Sequence, residues 1–277
     1  MHGFAQAVCS ADRNESLQLA NSACGLDLPA QSPAGTDLVT PHHSVTAVLT
    51  SCARYDLLER TLDSFYKHNT FPIERMIVVE DGDSIPDHIQ ARYAERSIDW
   101  IHTGTRVGQI ATIDYAYSRV ATEYIFHLED DWEFYRSHFI ERSLTVLTDN
   151  PKCIQVHIRA LNDTQGLPVD STLFCEHGVS WHRLMLYCDR SGWIWHGFSF
   201  NPGLRRLADY VDIGGYGKHV RFDFSRPSIA ENRIGTLYRL RDFYAAILAD
   251  SDGAGYVRHI GRGRRVPKPI AIPIRHE

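Results

Sequence analysis

Carboxylates stand where two apolar runs stop. The run 76–79 ends in Glu80-Asp81-Gly82-Asp83, and the run 124–128 ends in Glu129-Asp130-Asp131. If both runs are buried strands of one sheet, Asp81, Asp130 and Asp131 converge on one edge. Such a cluster repels itself unless a cation or hydrogen-bond donors compensate it. Hard divalent ions such as Mg2+ or Mn2+ take one or two protein carboxylates and leave other positions to phosphate oxygens, so a nucleoside diphosphate would complete the site. The alternative is that these residues only cap strands at exposed turns, where Asp is common.

The elements that must position them follow in order. The run 45–49 is short, apolar and β-branched. After Ser51-Cys52-Ala53, Leu58, Leu62 and Phe65 recur at i, i+4 and i+7, which predicts a strand, a loop and a helix. Asp56 with Glu59 three residues later predicts a capping box that starts this helix and leaves 50–55 as the loop. Residues 98–102 predict a third strand. Gly104 and Gly108 then open a loop, and Ile110, Ile113, Tyr117 and Val120 mark one face of a second helix ahead of the strand 124–128. This alternation predicts an α/β fold with a mostly parallel central sheet flanked by helices and with ligands at the carboxyl ends of the strands.

Composition bounds the function. The 277 residues are 43% hydrophobic and 11% aromatic, enough for a core of one large or two small domains, which excludes disorder throughout. A net charge of −5 gives no general pull toward nucleic acid. No apolar stretch reaches the ~18 residues of a membrane helix, and no basic segment followed by an apolar run opens the chain, so no transmembrane segment or secretory signal is expected. The six cysteines are scattered, without zinc-site pairing or the density of a disulfide scaffold. A reducing cytoplasm is the expected location.

The blocks 45–51, 57–64 and 77–84, then Arg106-Val107-Gly108, the helix to Ala121, Glu123-Tyr124-Ile125 and Leu128-Glu129-Asp130-Asp131 resemble, in order and spacing, the GT-A nucleotide-sugar glycosyltransferases of the large inverting family 2 type. The Glu129-Asp130-Asp131 form is also similar to the motif of Golgi N-acetylglucosaminyltransferases. The resemblance implies a Rossmann-like GT-A sheet with a variable C-terminal acceptor side. It implies a nucleotide-binding set of Thr50, Ser51, Arg54, Glu80, Asp81, Arg106, Gly108 and Asp130, with UDP the favoured nucleotide. In that set Thr50 lies beside the base, Asp81 accepts a hydrogen bond from it, Asp130 faces the ribose, and Arg106 or the Gly108 backbone lies near the donor. Asp131 would bind the Mn2+ or Mg2+ that bridges the phosphates, with Glu129 in a supporting role. On the residues alone, Thr50 is equally a strand-end hydroxyl satisfied by backbone, and Gly108 an ordinary turn glycine before a helix.

The second half is less regular. Residues 153–158 predict a strand and 159–178 a long loop. The segment 192–201 sets Trp193, Trp195, His196 and two Phe among glycines, which suits stacking on a sugar on the acceptor side, although core packing is the favoured reading of the Trp pair, since large aromatics dominate buried area. Asn201-Pro202 predicts the start of a short helix containing Arg205 and Arg206. By resemblance, Ser228-Ile229-Ala230-Glu231-Asn232 falls where relatives keep a Glu-Asp general-base pair, and His259, in the strand around 256–261, would be a second metal ligand. Asn232 replaces the usual Asp, and a carboxamide cannot take a proton from a hydroxyl. Glu231 is therefore the first choice of base, with Asp212 and Asp223 in reserve. Ser228 and Glu231 also have the spacing of a capping box.

The expected organisation is an N-terminal arm or extension (1–43), a nucleotide-sugar-binding half (44–150), an acceptor-binding and catalytic half (151–261) and a basic tail (262–277). The tail is set either over the diphosphate, against an anionic surface, or free in solvent. Partners would be a nucleotide-sugar donor and a carbohydrate, lipid-linked or protein-linked acceptor, as in polysaccharide biosynthesis, with any membrane association made through the acceptor. Competing classes are a catalytically impaired carbohydrate or nucleotide-sugar binder, a nucleotide-sugar hydrolase, and a sugar nucleotidyltransferase. The last would need a Gly-rich basic phosphate loop that residues 50–54 do not provide.

Overall fold

Apolar residues alternate between two sides along the first strands, and each side is covered. The computed structural model describes residues 43–164, 166–188, 194–220 and 227–264, the side chain of residue 227 excepted. The first half runs β1 (Val45–Ser51), α1 (Tyr55–His68), β2 (Arg75–Glu80), α2 (Asp87–Arg92), β3 (Ile98–His102), α3 (Gln109–Tyr117) and β4 (Tyr124–Glu129). After it come β5 (Trp132–Phe134), α4 (Phe139–Asp149), β6 (Cys153–His157), β7 (Phe174–Glu176), β8 (Val179–Arg183), β9 (Tyr187–Cys188) and β10 (Ile194–Trp195). The chain then forms β11 (Gly203–Arg206), α5 (Leu207–Asp212), α6 (Pro227–Arg239), β12 (Tyr244–Leu248) and β13 (Val257–His259).

Among the described residues, nine strands form one sheet in the order β3-β2-β1-β4-β11-β6-β12-β8-β7. The pairs β1–β2, β1–β4, β2–β3 and β6–β12 are parallel. β11 is antiparallel to both β4 and β6, and β8 is antiparallel to both β12 and β7. Seven strands thus run one way, and β11 and β8 the other. One face of the sheet presents Ala47, Leu49, Val78 and Phe126 to α1 and α4; the other presents Val48, Ile77, Val79 and Ile125 to α3 and α6. Phe65 of α1 is the hub of the first face, with its ring 5.4–5.9 Å from those of Phe126, Phe134 and Phe139. Each such buried side chain contributes about 1.5–3 kcal/mol relative to exposure, so the two faces together hold the strand ends in fixed register. No helix among the described residues is long and apolar enough to cross a membrane.

Several sequence expectations change. The helix expected from Asn201-Pro202 is instead strand β11, wedged between β4 and β6 with Leu204 and Arg205 buried. The demand for backbone partners on both sides outweighs the proline's preference for a helix start, and the helix α5 begins only at Leu207. The capping boxes do not form. Asp56 lies inside the first turn of α1 and accepts from Arg264 at 2.9 Å, while Glu59 accepts from Arg92 at 2.8 Å. Ser228 likewise lies inside α6, and Glu231 bonds elsewhere. Residues 159–178 contain a 3-10 turn, Leu161–Asp163, and β7. The N-terminal arm, His43 excepted, and the tail beyond residue 264 lie outside the described residues.

Gly203 is where β11 approaches β6. A methyl group there would run into the Val156 carbonyl and crowd the Gln155 amide. Gly203→Ala should therefore lower stability by about 1–3 kcal/mol, read as a reduced urea midpoint at unchanged slope.

Candidate active site

The strand directions decide where the polar residues gather. β1, β2, β4 and β6 all end at one rim of the sheet, and β11, running the other way, begins there. The main chain ties the rim together: the Asp130 amide donates to Thr50 O at 3.0 Å, and the Asp81 amide to Ser51 O at 2.8 Å. Thr50 and Ser51 are thus buried strand-end residues whose carbonyls join β1 to its two neighbours.

Asp130 and Asp131 follow β4 and are both buried. Their charge meets Arg54, the residue ahead of α1. Its guanidinium donates from Nη1 to Asp131 Oδ2 at 2.6 Å, from Nε to Asp130 Oδ2 at 3.3 Å, and from Nη2 to Asp130 Oδ1. The Cys52 amide adds a bond to Asp130 Oδ2 at 3.2 Å. Burial pushes the Asp130 carboxyl up to about 6, against the opposing pull of Arg54. Both Asp130 oxygens thus accept from groups of the protein itself. From below, the Thr61 hydroxyl of α1 donates to Asp130 O at 2.8 Å and accepts from the Trp132 amide at 3.2 Å.

His259 reaches the same place by a separate route. β13 pairs antiparallel with β5, setting His259 opposite Trp132, and its Nε2 lies 3.1 Å from Asp131 Oδ2. The Ile260 amide donates to Asp131 O at 2.8 Å. Burial raises the Asp131 carboxyl, but His259 and Arg54 outweigh it and hold the group below its ordinary value. Glu129 goes the other way. Burial pushes it well above the usual carboxylate range, and Asp131 and Glu231 add to the push. Its oxygens accept from Gln109 Nε2 at 2.7 Å and Trp132 Nε1 at 3.3 Å. Neighbouring carboxyls whose environments drive them apart are the pattern of acid and base roles.

Asp81 organises the adjoining loop. Its Oδ1 accepts from the Val107 amide at 2.7 Å, and its Oδ2 from the Gly108 amide at 3.0 Å. Gly108, at φ 90°, caps α3 in a conformation that glycine adopts without strain. Glu80 beside it is buried, accepts from the Ala53 amide at 2.7 Å, and is raised by that burial. Arg106 is half-buried, and its charge is felt by Cys52 and Glu80.

Glu231 of α6 also reaches the rim. Its Oε1 accepts from the Ser199 hydroxyl and from the Phe200 amide, both at 2.8 Å, in the segment leading into β11. Burial pushes this carboxyl up, while the Phe200 and Ser199 bonds and the charges of Arg205 and Arg159 pull it down. Arg205 is buried in the sheet and donates from Nη2 to Ser199 O at 3.2 Å. Arg159 stacks on Trp132 at 5.1 Å and pairs with Asp163 at 3.1 Å. Sequence reading missed Trp132, Arg159 and Ser199. Nothing in their local pattern marks them, because each gains its role from a neighbour distant in the chain.

Other expected residues do not join. Asp212 follows β11, which ends at the opposite edge, where the Leu207 amide donates to Glu123 O, and Asp212 itself pairs with Arg241 at 2.8 Å. Trp195 is a core residue whose indole N–H donates to Phe198 O at 2.8 Å, so its ring is not offered to a sugar. His196 beside it is half-buried, and burial lowers its imidazole. Trp193 and Asp223 lie outside the described residues. The described start of the tail is tied down, Arg262 to Asp163 at 2.7 Å and Arg264 to Asp56 at 2.9 Å.

Removing the Asp81 carboxylate leaves two amides without their acceptor, and charge-assisted bonds of this kind contribute about 1.5–3 kcal/mol. Asp81→Ala should speed hydrogen exchange at Val107 and Gly108 while leaving the β1 and β4 amides protected.

Residues 46–209, more than half of the chain, match the family described as Glycosyl transferase family 2. Among solved structures, the mannosyltransferase PcManGT from Pyrobaculum calidifontis, described in complex with GDP-Man and Mn2+, aligns at a TM-score of 0.56 and 14% identity over 80% of this chain and 58% of that one. TarS 1-349 from S. aureus, also solved in complex with UDP, aligns at 0.51 and 15% identity over 77% of this chain and 59% of that one. This chain therefore spans less than two thirds of either structure, and at such identity the likeness is one of fold. No curated protein matches the sequence. The family match over the strands that build the rim, together with the shared fold, places this chain in glycosyl transferase family 2, on the GT-A fold.

Proposed function

We propose that the chain transfers a sugar from a nucleoside diphosphate donor to an acceptor hydroxyl, with inversion at the anomeric carbon. The observation that carries this reading is the 3.1 Å approach of His259 to Asp131 at the rim that also holds Asp81, Asp130 and Glu231. UDP is the first choice of nucleotide, on family resemblance and on the UDP complex of TarS, with GDP second on the GDP-Man complex of PcManGT. Asp81 Oδ2 accepts from the Gly108 amide and keeps lone-pair capacity for a base N–H.

A divalent ion fits the donor set. Asp131 and His259 offer a carboxylate and an imidazole 3.1 Å apart. A carboxylate with one imidazole suits Mn2+ or Mg2+, which leave positions for phosphate oxygens and water. When bound, the ion would neutralise charge on the departing diphosphate. Glu231 then serves as the base that takes the acceptor hydroxyl proton. Its Oε1 is fixed by Ser199 and Phe200, so its orientation is set before the acceptor arrives. Burial raises its basicity, and Arg205 and Arg159 keep the ionised form accessible.

In a thermal-shift panel of UDP, GDP and dTDP with Mn2+ or Mg2+, a ligand at 100 times its Kd stabilises by about 2.7 kcal/mol. Asp131→Ala should abolish the metal-dependent part of the shift, and a shift that survives it sinks the metal assignment.

Glu231→Gln keeps an oxygen for Ser199 and Phe200 but cannot take a proton, and should cut turnover about 10^2–10^4-fold. The base works only when ionised, and its carboxyl is raised in the fold. Wild-type kcat/KM should therefore fall, as pH drops, at a higher pH than an unperturbed glutamate would give. The Gln variant should lack that acid limb.

A further inference from the structure

We propose that Arg54 is the resident counter-cation of the acidic rim, and that a divalent ion must compete with it for Asp131. This rests on the reading that Asp131 and His259 receive the metal. Arg54 Nη1 lies 2.6 Å from Asp131 Oδ2, the same oxygen that His259 Nε2 approaches at 3.1 Å. One carboxylate oxygen thus serves both groups, and a cation bound there would face a guanidinium at contact distance. That guanidinium stays charged, since arginine does not deprotonate in proteins, so its charge leaves the site only if the side chain moves.

The backbone around Arg54 is fixed. The Cys52 amide is held by Asp130 Oδ2 at 3.2 Å, the Ala53 amide by Glu80 Oε1 at 2.7 Å, and the Arg54 carbonyl accepts from the Leu57 and Leu58 amides in the first turn of α1, each at 2.9 Å. Release therefore falls to the side chain. Its Nε and Nη2 hold Asp130 while Nη1 alone holds Asp131, so one arm can let go while the other stays attached. The consequence is linkage. Arg54 keeps metal affinity low in the nucleotide-free protein, and a phosphate-bearing ligand that draws the guanidinium away raises it, with the reciprocal effect of metal on that ligand.

The test is Mn2+ binding to the full chain without nucleotide, followed by electron paramagnetic resonance, for wild type, Arg54→Met and Arg54→Met/Asp131→Asn. Removing a charge-assisted competitor should tighten Mn2+ binding about tenfold or more in Arg54→Met, and the added Asp131→Asn should abolish that gain. Equal or weaker binding by Arg54→Met overturns the proposal while leaving the metal assignment standing. No binding by wild type or Arg54→Met, with folding confirmed by circular dichroism, overturns both. If Arg54→Met does not fold, the unaltered chain decides, through the arginine Nε–H resonances during Mg2+ titration, with Arg54 assigned through Arg54→Lys. The Arg54 Nε–H signal should shift as Nη1 leaves Asp131 while Nε stays on Asp130, and a signal unmoved at saturating Mg2+ overturns the competition.

Discussion

Acidic side chains delivered to one rim by separate strands repel one another, and in a buried setting that repulsion is barely screened. The fold depends on how it is compensated. Arg54 spans Asp130 and Asp131, the Val107 and Gly108 amides hold Asp81, and the Phe200 amide and Ser199 hydroxyl hold Glu231. Asp81 and Glu231 have donors of their own, while Asp130 and Asp131 share one guanidinium.

Those donors are supplied by loops and strands that follow from sheet direction. β1, β2 and β4 end together because they are parallel, and β11 contributes its beginning because it is antiparallel to β4. A helix in place of β11 would leave β4 and β6 without a shared partner and would remove the Ser199 and Phe200 contacts to Glu231. Gly203, packed against the Val156 carbonyl, is the local condition for that insertion. The small ribbon of β5 and β13 completes the arrangement by returning the chain to Asp131, with the Trp132 ring 5.1 Å from that of His259 and tilted to it by 53°.

The balance of buried charge also drives the carboxyls apart. Asp131 is held low by His259 and Arg54, while Glu129 and Glu231 are raised by burial. A group kept ionised suits cation binding, and a raised one suits proton transfer. Charges are shared in both senses: Arg54 serves both Asp130 and Asp131, and Asp163 serves both Arg159 and Arg262.

The first half of the chain was legible because its signals are local. Apolar runs of strand length, the i, i+4, i+7 face of α1 and the acidic ends of the runs at 79 and 128 each lie within a few residues, so β1 to β4, α1 and α3 stand close to where periodicity puts them, whereas α2, β5 and α4 were not foreseen. Resemblance added His259, which no local pattern singled out from the other histidines. The second half was not legible in the same way. Whether Asn201-Pro202 opens a helix or precedes a strand, whether Trp195 stacks on a ligand or fills the core, and whether Glu231 caps its own helix or turns to Ser199 all depend on partners far away in the chain. The sequence by itself determined the element types from β1 to β4, α2 excepted, and the supply of carboxylates. Only the tertiary structure decided which carboxylate meets which cation, because hydrogen bonds and ion pairs at 3 Å are set by strand order and direction, which no short stretch of residues encodes.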